Sequence, residues 1–276
     1  MLERQILDWD NAYTNGANIP GGDRWPQAWV GPAQTYRDAM LAEDRARLDI
    51  VYGDKPRNRL DLFLPATPAK GLVVFVHGGY WLALDKSFWS HLAAGAVAHG
   101  YAVAMPSYTL CPEVRISDIV REIGAAIETA ATLVDGPVML TGHSAGGHLV
   151  SRMVAATSPL SPEVRQRIRN VVSISGLHDL RPLMRTAMNE RLGIDEAEAL
   201  SESPALLLPM ENARITCWVG GGERAEFLRQ NELLANIWTG LGAKTRSVVE
   251  PDRHHFNVID GLADPTHGLT RVLIDA

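Results

Sequence analysis

Cysteine is nearly absent from this 276-residue chain, where Cys111 and Cys217 are the only two. Two thiols so far apart build no disulfide framework and lack metal-ligand spacing, so both are expected as buried thiols in a reducing compartment. Long apolar runs are missing as well, and nothing approaches the roughly 18 residues that a membrane span needs. The opening stretch "MLERQILDWDNAYTNG" is charged and amphipathic, without an apolar core of about 7–15 residues behind a basic start, so no secretory signal is expected. Basic clusters are equally scarce. With 26 Lys and Arg against 32 Asp and Glu the net charge is -6, whereas neutralising phosphates takes a concentrated cationic surface. These absences lead to the expectation of a cytoplasmic protein with no nucleic-acid partner and no membrane partner.

The chain does have enough apolar material for a large core, 46% of the residues, arranged as one α/β domain over 1–276. Residues 1–46 read as a helix, a Gly/Pro/Trp-rich loop ("NIPGGDRWPQAWVGP") and a second helix through "TYRDAMLAEDRARL", a helical attachment to the strand-rich remainder of the chain. Short apolar strands then begin with "LDIVYG", "RLDLFLP" and "GLVVFVHGG". They continue through "YAVAMP", "PVMLTG", "NVVSISG", "ARITCWVGGG" and "AKTRSVVE", about eight in all. Helices are expected near 87–99, 115–134, 145–156 and 225–240. Strands alternating with helices imply a mostly parallel sheet covered on both faces, with the first strands antiparallel. The interval 177–212 breaks this rhythm and reads as a lid or pocket-wall insertion.

The chemistry gathers where apolar runs end in glycines. Gly142-His143-Ser144-Ala145-Gly146 follows a strand and opens a helix, the setting of a nucleophile elbow. The sharp turn strains the serine, and side chains larger than glycine at 142 and 146 would collide with neighbouring elements. Ser144 would then project at the carboxyl edge of the sheet. In "HGGYW", Gly78 and Gly79 leave room for backbone N–H groups to face that serine, and Ala145 N–H would complete an oxyanion hole. His77 is expected to brace this loop, while Tyr80 and Trp81 are candidates to line a substrate pocket.

A general base belongs on the loop after the last strand, where "DRHHFNVIDGL" offers His255 first and His254 as the runner-up. The orienting acid belongs after the preceding strand, where "CWVGGGERAEF" gives Glu223, with Asp179 and Glu226 as rivals. The order Ser144, Glu223, His255 is the Ser…Asp/Glu…His order of one large hydrolase class. Such a set needs no metal or organic cofactor.

Together, "HGGYW", "PSYTLCPE", "GHSAGGHL", "GGGERAEFLRQ" and "HHFNVIDGL" resemble the α/β-hydrolase superfamily, near its carboxylesterases. More narrowly, the chain is similar to kynurenine formamidases (arylformamidases), and the likeness extends to "AYTNGANIP" and so over nearly the whole chain. The resemblance implies an α/β-hydrolase fold and hydrolysis of N-formyl-L-kynurenine to formate and L-kynurenine. It implies Ser144, Glu223 and His255 as triad, with Trp81 matching the tryptophan of the oxyanion motif. The acid position departs from the family, which usually has Asp there; Glu is one methylene longer. A small formyl group and a large aryl amine call for a tight acyl side and an aromatic leaving-group side, for which Tyr80, Trp81, Trp25 and Trp29 are candidates. The alternatives are a carboxylesterase for short-chain or aryl esters and a non-catalytic binding protein built on the same fold. A homo-oligomer is compatible with each.

Overall fold

The computed structural model describes residues 5–275. Eight strands form its sheet: β1 (Ala46–Val51), β2 (Arg59–Phe63), β3 (Leu72–Val76), β4 (Ala102–Pro106), β5 (Val138–His143), β6 (Ile168–Ile174), β7 (Arg214–Gly220) and β8 (Lys244–Glu250). Their spatial order is β1-β2-β4-β3-β5-β6-β7-β8. β1 and β2 run antiparallel to each other, β2 runs antiparallel to β4, and every later pairing is parallel. All eight expected strands are found, with the antiparallel pair first.

The helices are α1 (Trp9–Tyr13), α2 (Trp25–Ala42), α3 (Ala94–Ala98), α4 (Ile116–Leu133), α5 (Ala145–Arg152), α6 (Pro162–Arg167), α7 (Asn189–Leu192), α8 (Glu196–Glu202), α9 (Ala225–Gly240) and α10 (Gly268–Ile274). Side chains of β3 alternate between two cores, as a pleated strand buried on both faces must. Leu72, Val74 and Val76 join Ile119, Ile123 and Ile127 of α4 and Leu234 of α9. Val73 and Phe75 join Trp29 and Met40 of α2, Ala96 of α3 and Leu269 of α10. No helix among the described residues is long and apolar enough to cross a membrane.

Three helix expectations change. α1 is only five residues long, and the first four residues of the expected N-terminal helix lie outside the described ones. α2 starts inside the stretch expected as loop, with Pro26 in its first turn and Pro32 within it. A first-turn proline gives up an N–H that has no partner anyway, and its fixed φ suits the helix. Around 87–99 a continuous helix is replaced by two short 3₁₀ turns followed by α3. Trp89, at φ -127 and ψ 13, leaves the helical path and seats its ring beside both Trp29 and His77.

Register sets up the site. Gly142 pairs with Val76 on one side and Ser173 on the other, and Ile174 pairs with Trp218. The carboxyl ends of β3, β5, β6 and β7 therefore lie side by side. They deliver residues 77–79, 144, 175 and 220–223 to one edge, where open parallel sheets carry their sites. The 177–212 stretch is fastened to the body: Pro209 bridges Ala155, and Arg115 at the start of α4 pairs with Glu198 at 2.9 Å.

Candidate active site

Ser144 joins β5 to α5 at φ 56 and ψ -115, a conformation that costs energy for any residue with a side chain. Its N–H donates to the carbonyl of Ile174 at 2.8 Å, which fixes the turn to the neighbouring strand. Only glycine fits at 146, because a Cβ there would lie 1.9 Å from the carbonyl oxygen of Val76. A Cβ on Gly78 would sit 3.1 Å from that of Ser144, so the backbone of the "HGG" loop runs directly against the serine. Gly79 takes φ +112, and its neighbours Tyr80 and Trp81 take φ 56 and 58.

The imidazole of His255 meets Glu223 at 2.6 Å, from Nδ1 to Oε2. Both side chains are buried. The other carboxylate oxygen of Glu223 accepts from the Ser175 hydroxyl at 2.6 Å and from the Gly220 N–H at 2.8 Å. These donors satisfy a carboxylate that burial has cut off from water. The His255 ring packs against Phe227 at 4.7 Å and against His143 at 4.6 Å. His143, the residue before Ser144, donates from Nε2 to the carbonyl of His255 at 2.8 Å. Burial, with the adjacent His255, pushes His143 well below the usual histidine range, so it is neutral and Nε2 carries the proton.

The rival residues have other partners. His254 is half-buried, accepts from the N–H of Phe256 and Asn257, and lies edge-on to Trp25 at 5.0 Å. Asp179 is engaged by Arg181 at 3.0 and 2.9 Å. Glu226 receives the Tyr13 hydroxyl at 2.5 Å and pairs with Arg229.

His77 stacks on Tyr108 at 4.3 Å and on Trp89 at 5.5 Å, and its Nδ1 donates to the carbonyl of Gly78 at 2.7 Å. Burial pushes its pKa down to about 4, which keeps it a neutral brace of the loop. Tyr80 and Trp81 differ from the expectation of a substrate contact. The Tyr80 hydroxyl is taken up by Tyr13 and Asn15, and Trp81 has no exposed surface, packing edge-on to His148 at 5.2 Å. An aromatic wall exists on another side, where half-buried Trp25 and buried Trp29 meet Phe256 at 6.2 and 5.7 Å. Among the described residues no three His, Cys, Asp or Glu side chains are grouped to hold a metal ion.

Sequence reasoning did not single out Ser175, His143 or Phe227. Ser175 had a signal: it stands at the end of the strand between those that lead to Ser144 and Glu223, in "SISG". The contact of His143 with the backbone of His255 had none, since 112 residues separate the two.

Residues 60–210 match the BD-FAE family. The chain is 30% identical to the kynurenine formamidase of Danio rerio, over 90% of its own length and 87% of that protein. It is 32% identical to an isoprenylcysteine alpha-carbonyl methylesterase of Arabidopsis thaliana, covering 84% of this chain and 61% of that one. A crystal structure from Silicibacter, provisionally described as a thioesterase, superposes with a TM-score of 0.92 at 50% identity, covering 97% of this chain and 99% of that one.

Proposed function

Because the chain belongs to the BD-FAE family and is a serine hydrolase of the esterase and formamidase type acting on small molecules, we propose that Ser144, His255 and Glu223 are its triad and that it hydrolyses an aryl formamide such as N-formylkynurenine. The observation that carries this reading is the 2.6 Å contact of His255 with Glu223 at the sheet edge that also presents the strained Ser144. The substrate class rests on the likeness to kynurenine formamidase and on the aromatic wall of Trp25, Trp29 and Phe256.

His255 takes the hydroxyl proton of Ser144 as Oγ adds to the formyl carbon. The N–H groups of Gly78, Gly79 and Ala145 donate to the resulting oxyanion, with the N-terminus of α5 adding its positive end. Collapse of the adduct breaks the C–N bond, and the proton on His255 passes to the departing amine. Water then adds to the formyl-enzyme, giving its proton to His255, and formate leaves as Ser144 recovers a proton. Glu223 holds the tautomer with Nδ1 protonated and stabilises the imidazolium that forms in each half. Neither half draws on a metal or an organic cofactor.

The test is kcat/KM for N-formyl-L-kynurenine and for p-nitrophenyl acetate in one preparation, with Ser144→Ala as the blank. Turnover of the formamide at about 10⁴ M⁻¹s⁻¹ or better is expected. The second reading is a small carboxylic ester or thioester as substrate, which the Arabidopsis and Silicibacter relatives favour. Ester cleavage that needs Ser144, with the formamide untouched, would select it.

A further inference from the structure

The end of α1 and the residue Asn15 beyond it meet the loop after β3 at the phenol of Tyr80. Tyr80 donates its hydroxyl to the carbonyl of Tyr13 at 3.0 Å and accepts from the N–H and side-chain amide of Asn15 at 3.2 and 3.3 Å. A phenol has one proton and two lone pairs, so these three bonds use its whole capacity. Nothing is left for a ligand.

The loop it holds is under strain. Gly79, Tyr80, Trp81 and Leu84 have φ of +112, 56, 58 and 71. Such conformations persist only where surrounding structure enforces them. The other end of the tie is itself anchored, because Tyr13 donates to Glu226 at 2.5 Å, accepts from Gln230 at 3.3 Å and is fully buried. Glu226 lies one turn beyond Glu223, at the start of α9. Tyr80 thus connects the loop that passes Ser144 to the helix beside the candidate acid, through a segment about 65 residues earlier in the chain.

We propose that Tyr80 is a positioning residue, with Asn15 as its partner: it locks the loop after β3 so that the Gly78 and Gly79 N–H groups stay aimed at the oxyanion. This rests on the triad assigned to Ser144, His255 and Glu223. Burial raises the phenol's pKa, so the donor persists across the working range of pH.

The experiment compares Tyr80→Phe, Asn15→Ala and the double variant by steady-state kinetics, inhibition by phenylboronic acid, thermal midpoint and amide exchange of the 77–84 segment. Phenylboronic acid forms a tetrahedral adduct on the serine and so reports oxyanion binding. In Tyr80→Phe, kcat should fall about 10- to 100-fold, as small misplacements of catalytic groups do. KM should stay within about threefold, the boronic acid inhibition constant should rise with the loss in kcat, and the double variant should match Tyr80→Phe. Faster exchange across 77–84 with a nearly unchanged midpoint completes the expected result. A rise in KM at unchanged kcat would make Tyr80 a substrate contact instead, and unaltered exchange would overturn the lock. If the wild type reacts with no fluorophosphonate, the triad falls, while exchange still decides the lock by itself.

Discussion

The Ser175 hydroxyl and the His255 imidazole share one carboxylate, each 2.6 Å from a different oxygen of Glu223. Ser175 takes φ 52 at the end of β6, directly after Ile174. The carboxylate is held at both oxygens, Oε1 by Ser175 and Gly220 and Oε2 by His255.

Shortening the acid should therefore lose one partner or the other. Glu223→Asp is expected to lower kcat about 10²-fold, and Glu223→Gln about 10³- to 10⁴-fold, because an amide in place of the carboxylate disturbs the tautomer. Ser175→Ala should cost about tenfold, one hydrogen bond to a charged group. Steady-state kinetics with a chromogenic ester decides this, and an active Glu223→Gln would remove the acid assignment.

His143 is expected to act through the backbone of His255. His143→Leu removes the donor at 2.8 Å and should lower kcat about tenfold, while His143→Gln, which keeps an N–H in reach, should recover part of it. Equal losses in the two variants would show that ring packing, not the hydrogen bond, matters.

The buried histidines make a stability prediction with a definite sign. Burial lowers His77 and His178 to about 4 and His148 to about 3. The unfolded chain, with histidine near 6.5, binds more protons between those values, so stability is full above about pH 6.5 and falls as pH drops towards 4. The loss by pH 5 should be on the order of 1–2 kcal/mol per histidine, read from urea midpoints at pH 7 and 5. A midpoint that does not move between these pH values would mean that the three rings titrate in the folded state as they do in the unfolded chain, and a rise towards pH 5 would mean that they are charged when folded.

Gly146→Ala tests packing at the elbow. Its methyl would overlap the Val76 carbonyl, 1.9 Å away, and the strand cannot move without displacing the loop after it. A destabilisation of about 3 kcal/mol is expected, with activity lost in the folded fraction too. An unchanged thermal midpoint would show that β3 and α5 can separate there.

Trp25 addresses the leaving group. Trp25→Ala should raise KM several-fold for an aryl formamide and leave small aliphatic esters unaffected, since its half-buried ring borders His254 and Phe256. An equal effect on both substrates would assign it to packing.

Local sequence carried the sheet well, because β3 and β4 are buried on both faces and appear as apolar runs, and β5, also fully buried, opens on Val-Met-Leu before its turn residues. The elbow was legible for a similar reason: its glycines answer a steric demand that lies within a few residues and one neighbouring strand. Glu223 is favoured over Asp179 and Glu226 by its position after β7 relative to Ser144 and His255, and its carboxylate meets His255 at 2.6 Å. The partners of Ser175, His143 and Tyr80 were not legible. Each bond joins elements that only strand order or chain return brings together, and neither leaves a periodic trace. The proline-containing α2 was misplaced for a different reason, since a proline in the first turn signals a helix start as readily as a loop.

The bond from Tyr13 to Glu226 spans 213 residues. Tyr13 is therefore made more than two hundred residues ahead of its acceptor Glu226, and of Glu223 just before it. His255 follows later still. A polypeptide ending before Glu223 would carry Ser144 with neither the proposed acid nor the anchor of the loop beside it. The proposed site is thus completed only when the segment from Glu223 to His255 packs against the strands that precede it.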